Sequence, residues 1–160
     1  MTRTRKMTYS ALIFLLATLS AFYFEAYYRS FIRFLYQYFT AGVISFVGKR
    51  LHFFSLKFAL AFGVFSIFVA TTLFERNTFQ VLTKILFTIV LFFLATTMIS
   101  YFSSQLRIVE CTACDDGKVR LHFNGINYDL IFLTSLLVAT LPLLLTTIRK
   151  QLKSNKKASL

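Results

Sequence analysis

The residues best suited to chemistry are Cys111-Thr112-Ala113-Cys114, two thiols three positions apart. Such a pair can close a small disulfide, supply half of a tetrahedral metal site, or act as a dithiol redox centre. Which chemistry applies depends on what else the chain can bring to the pair. The rest of the sequence offers two histidines, six acidic residues and hydroxyls scattered through apolar runs.

The metal option draws on the residues that follow. Asp115-Asp116-Gly117-Lys118 after the pair looks like one knuckle of a zinc ribbon, and His122 is a third candidate ligand. A closed structural zinc site needs four ligands, and there is no second Cys-x-x-Cys. Closure would require a second subunit or a carboxylate such as Asp115. The redox option meets a similar shortage, because small four-helix, quinone-linked thiol oxidoreductases work through a relay of two cysteine pairs. An outward-facing pair in an oxidising compartment tends to be a disulfide. Cys111 and Cys114 are therefore expected to form a structural disulfide. No cofactor is expected, with zinc or a quinone as the alternatives, and no catalytic residue is assigned.

Two further charges stand close to apolar sequence, Glu25 and Lys57. An ionisable group below a membrane surface is costly unless it is paired or reaches the headgroups. An interhelical Glu25–Lys57 ion pair follows as an expectation. His52 and His122 lie at a helix start and on a loop, a poor arrangement for holding haem between two helices. The search for a Gly-rich phosphate loop, His-Glu-x-x-His or Gly-x-Ser-x-Gly finds none. Ser and Thr residues within the runs, Thr96, Thr97, Thr134 and Ser135 among them, are expected to bond to backbone carbonyls.

The elements that position these residues follow from composition. The chain has 160 residues, 57% hydrophobic and 15% charged, with 21 Phe. Its mean hydropathy is +0.67. A water-soluble domain of this size buries too small a share of its surface to hide so much apolar material. Lipid must cover it. The net charge of +12 sits in short clusters beside apolar runs, as the positive-inside rule and anionic headgroups favour, and nucleic acid is not an expected partner.

Four apolar runs are long enough to cross a hydrocarbon core of about 30 Å: about 9–28, 51–74, 85–104 and 130–148. The first lacks a small-x-small cleavage site and is expected to be retained. Segment 29–48 is apolar, yet Arg29, Arg33, Gln37 and Thr40 recur on one side opposite Ile32, Leu35 and Phe39. That pattern predicts an amphipathic helix in the outer interface, or a short re-entrant element, rather than a fifth span. Segment 105–129 alternates, turns at Asp115-Asp116-Gly117 and carries Asn124-Gly125, which predicts a small external β-meander. Residues 149–160 form a basic tail expected to fray. The fold expected is thus an all-α integral membrane protein. It is a bundle of four transmembrane helices with an outer interfacial amphipathic helix and a small external β-meander.

An even span count places both termini on one side. Arg3, Arg5, Lys6, Arg76, Lys84 and the tail lysines all fall there, which makes it the cytoplasmic side of a bacterial inner membrane, with an organellar or endoplasmic reticulum membrane as alternatives. Small size and the lack of a mid-membrane ionisable group suit a non-catalytic accessory or assembly subunit of a larger membrane complex. Its partners would be the lipid bilayer and other membrane subunits or a second copy of itself. The alternatives are a membrane thiol-redox enzyme using Cys111 and Cys114, and a small oligomeric transporter or channel.

Overall fold

The computed structural model describes residues 3–48, 55–73, 78–109 and 118–158. Within these, four helices and two short strands follow one another along the chain. They are α1 (Arg3–Phe39), β1 (Ile44–Val47), α2 (Leu56–Leu73), α3 (Thr78–Val109), β2 (Val119–His122) and α4 (Tyr128–Ala158). Three helical stretches are long and apolar enough to cross a membrane: Met7–Phe39, Phe79–Val109 and Tyr128–Thr146. Leu56–Ala70 in α2 is a shorter apolar helix.

The first departure from expectation is at Arg29. Residues 29–39 are not a separate interfacial helix but the continuation of α1. No glycine or proline interrupts the chain between Arg3 and Phe39, so nothing breaks the hydrogen-bond ladder at the polar residues. The polar side is also not uniformly outward: Gln37 is exposed, but Arg33 and Thr40 are buried. Arg33 is buried beside Ile32, Leu35 and Tyr36.

A Schellman motif stops the helix. Gly42 N–H donates to the Gln37 carbonyl at 2.9 Å and Ala41 N–H to that of Tyr38 at 3.3 Å. Ala41 takes the left-handed conformation at φ 48°, a position glycine usually fills.

The β-meander is replaced by a different pairing. Residues 105–109 are the last turn of α3, and β2 lies parallel to β1, with Ile44 opposite Val119 and Val47 opposite His122. A parallel pair needs a long crossover, and the α2–α3 hairpin supplies it. The Asn124-Gly125 turn, with Gly125 N–H on the His122 carbonyl at 2.8 Å, leads into α4 instead of a return strand. The basic segment beyond Ile148 also differs from expectation, because α4 continues as helix to Ala158.

The strands sit at the end of the bundle where α1 and α3 finish and α2 and α4 begin. Below them the core is aromatic. Phe132 and Phe58 stack with centroids 3.8 Å apart, and Tyr28, Phe92 and Phe62 surround them at 5.2, 5.8 and 6.5 Å from Phe132. On α3 the buried residues Thr88, Phe92, Thr96, Ser100 and Ser104 recur every four positions, which lays them along one helix face. Thr88 and Ser104 donate to their own helix backbone, as does Ser135 on α4.

α1 and α2 approach each other closely at Gly63. A Cβ there would stand 2.6 Å from Thr18 Oγ1 and 2.7 Å from a Phe14 ring carbon. Small residues permit such contact between apolar helices. Gly63→Ala is expected to cost about 1–3 kcal/mol through overpacking, and Gly63→Leu more. Denaturant midpoints in mild detergent check this; a Gly63→Leu protein as stable as the parent would contradict the close approach.

Candidate functional site

Charged and polar side chains gather just below the strands, where three helices meet. On α1, Glu25, Arg29 and Arg33 follow one another at intervals of four and so share a face. Arg29 Nε donates to Glu25 Oε1 at 2.8 Å, and its Nη2 donates to the same oxygen. The second carboxylate oxygen of Glu25 accepts the Ser55 backbone N–H at 3.2 Å. Glu25 is 4% exposed, so both of its oxygens have exchanged water for protein donors.

Ser55 is the N-cap of α2. Its hydroxyl accepts the Phe58 N–H at 3.3 Å, satisfying one of the amides a helix start leaves open. The same hydroxyl donates to Asp129 Oδ2 at 2.8 Å. Asp129 lies in the first turn of α4, where a negative charge is favoured by the helix dipole. Asn127 caps that helix, its Oδ1 accepting the Leu130 N–H at 3.1 Å. Asp129 Oδ1 is buried without a hydrogen bond, 4.0 Å from Arg29 Nη2. The Arg29 guanidinium in turn lies 4.8 Å over the Tyr128 ring. Glu25, Arg29, Ser55 and Asp129 therefore form one hydrogen-bonded clamp, two carboxylates about one guanidinium, joining α1 to the starts of α2 and α4.

Above the clamp, further polar bonds tie the cap to the bundle. The Tyr128 hydroxyl donates to the Phe123 carbonyl at 2.8 Å, and that of Tyr36 to Ser103 Oγ at 2.7 Å. Gln105 donates to the Phe39 carbonyl at 3.2 Å, joining the ends of α1 and α3. Arg33 does not join the clamp. It donates to Ser30 Oγ at 2.8 Å and lies 5.5 Å from the Phe123 ring centroid.

The residues singled out from sequence are placed differently. Glu25 pairs with Arg29 rather than Lys57, because Arg29 stands one turn away on the same helix while Lys57 is exposed in the first turn of α2. His122 is exposed on β2, with Nδ1 accepting the Asn124 N–H at 3.2 Å. A Cβ on Gly48 would come within 2.6 Å of the His122 ring, so the imidazole lies against that glycine. Cys111, Cys114, Asp115, Asp116 and His52 lie outside the described residues, and nothing among the described residues supports the disulfide. Among the described residues no three His, Cys, Asp or Glu side chains gather as a metal site would require.

Sequence reasoning did not single out Ser55 or Asp129, and it treated Arg29 as a surface residue. The available signals were a serine directly before an apolar run, an Asn-x-Asp start before another, and the four-residue spacing of Glu25 and Arg29. No known protein family, curated protein or solved structure matches the chain.

Proposed function

We propose that the chain is a four-span membrane protein acting as a non-catalytic accessory or assembly subunit, and that it docks a larger membrane partner through an aromatic flank at its sheet end. The apolar stretch Phe79–Val109 has 31 residues and Met7–Phe39 has 33. At 1.5 Å per residue the shorter is about 46 Å long, against a hydrocarbon core of about 30 Å. Tilt alone would have to reach about 50°, beyond the range of about 0–40° usual for spanning helices. The ends of α1 and α3 at the strands fit better outside the core, since the two-stranded sheet has open edges that hydrocarbon does not tolerate.

On this frame the clamp marks the outer boundary, where α2 and α4 begin. Tyr38 stands thirteen residues beyond Glu25 along α1, about 20 Å at helical rise. The observation that carries the proposal lies in that zone. Phe34, Tyr38, Phe39, Tyr101 and Phe102 form a continuous line of ring contacts with centroids 5.3–6.0 Å apart. Tyr38 is 70% exposed, Phe102 62%, Leu106 60% and Val109 80%. An apolar strip standing above the bilayer calls for a protein cover. The basic residues near both termini favour the opposite end as cytoplasmic. No observation among the described residues favours the thiol-redox enzyme or the oligomeric transporter.

Photocrosslinking residues placed at Phe102, Leu106 and Leu15 in native membranes test the proposal. The first two are expected to give a discrete adduct with another membrane protein, and Leu15, exposed lower on α1, only lipid. A dimer-mass adduct would replace the partner by a second copy. Protein adducts at none of the three would end the docking proposal. Impermeant thiol reagents should label Tyr38→Cys from outside and Ser154→Cys only after permeabilisation; the reverse pattern would invert the topology.

A further inference from the structure

Among the described residues Arg33 has no counterpart to the acids that hold Arg29. It is 8% exposed, and among the described residues its guanidinium has no carboxylate within ion-pair distance. It opens onto a cavity of about 240 Å³ lined by Ser30, Arg33, Phe34, Gln37, Phe46 and Phe123. A single water occupies about 30 Å³, so the space admits a group of several heavy atoms. Its walls are of two kinds. Arg33, Ser30 and Gln37 supply polar groups along α1, while Phe46 and Phe123, stacked at 5.8 Å, supply an apolar side contributed by β1 and the turn after β2.

We propose that this cavity binds the phosphate oxyanion of an anionic membrane lipid. Among the described residues the buried Arg33 guanidinium meets the hydroxyls of Ser30 and Tyr128 but no acid, and a phosphate oxygen is a partner its forked donors fit well. The Arg33 guanidinium reaches back to Ser30 Oγ, and Ser30 lies five residues beyond Glu25, about 7 Å along α1. On the frame proposed above, that is headgroup height, so the inference rests on that reading. The Gln37 amide stands one turn further along the same face to donate a second hydrogen bond. Phe46 and Phe123 close the apolar side of the cavity against the rest of the headgroup. The basic residues elsewhere on the chain differ, because none described stands buried at the wall of a cavity.

Native mass spectrometry of the full chain in mild detergent, titrated with phosphatidylglycerol, gives the test. Wild type is expected to retain one lipid in preference to phosphatidylcholine or a neutral diacylglycerol. Arg33→Gln should weaken retention about tenfold or more, the scale of a lost charge-assisted hydrogen bond. Arg33→Lys should fall between. Arg120→Gln, on an exposed strand residue, should bind as wild type. Competition separates the sources: millimolar inorganic phosphate that displaces the lipid would show a free-anion site, overturning the lipid assignment. Equal retention of phosphatidylglycerol and diacylglycerol by wild type would overturn the proposal even if Arg33→Gln failed to fold, as would unchanged binding by Arg33→Gln. Because these measurements are made in detergent, their failure is separate from a failure of the membrane frame, which the thiol labelling reads.

Discussion

Glu25→Ala is expected to destabilise the bundle by about 3 kcal/mol or more, the scale set by removing one partner of a buried ion pair. The substitution leaves the Arg29 guanidinium, only 16% exposed at its side chain, with Asp129 at 4.0 Å as its remaining acid. It also leaves the Ser55 N–H at the start of α2 without its acceptor. Two helix contacts loosen through one side chain. The double change Glu25→Leu/Arg29→Met should recover part of the loss, because it leaves no unpaired guanidinium, while the Ser55 N–H and Asp129 still lack their partners. Lys57→Ala should change stability by less than about 0.5 kcal/mol, as exposed surface positions do. Denaturant midpoints for the four proteins in one detergent decide this. A Lys57→Ala loss equal to that of Glu25→Ala would restore the Glu25–Lys57 pair expected from sequence and remove the clamp.

Phe132→Ala is expected to cost about 3–5 kcal/mol, the usual range for truncating a fully buried aromatic. Phe132 is 0% exposed and is the hub of the aromatic core, its ring meeting residues of α1, α2 and α3 at once. On the membrane frame proposed above the loss is one of packing, since apolar tails offer no hydrophobic gain for helix association. The cavity left between Phe58, Phe92 and Tyr28 cannot collapse without moving whole helices. Phe132→Leu should lose less, because it refills part of the volume. Phe102→Ala should leave stability nearly unchanged while removing a contact of the docking strip. A Phe132→Ala protein within about 1 kcal/mol of wild type would mean that the four helices do not pack around this ring.

How much of this architecture was legible in the chain depended on how local each determinant is. Helix-forming apolar runs are properties of consecutive residues, so α1, α2, α3 and α4 lie where hydropathy and length place them. Their ends shifted where tertiary packing extended a helix past its apolar centre. Thus α3 runs on through Gln105 and Arg107 to Val109, since Gln105 finds the Phe39 carbonyl instead of water. The close approach at Gly63 has a local signal as well, a small residue between Phe62 and Val64 in an apolar run.

What the residues by themselves determined, then, was a strongly apolar chain cut into four helices, three of them long enough to cross a membrane. The tertiary structure alone decided which polar groups meet. The four-residue spacing of Arg29, Arg33 and Gln37 is the same on an interfacial helix as on a buried one, and only the packing of α1 against its neighbours turned Arg33 inward. β1 and β2 are four residues each and pair across the entire α2–α3 hairpin. Neither strand carries a local signal of its partner, because parallel pairing is specified by contacts far apart in the chain. The clamp has the same origin. Glu25, Ser55 and Asp129 belong to three separate helix segments, and a hydrogen bond between distant residues leaves no periodicity to read.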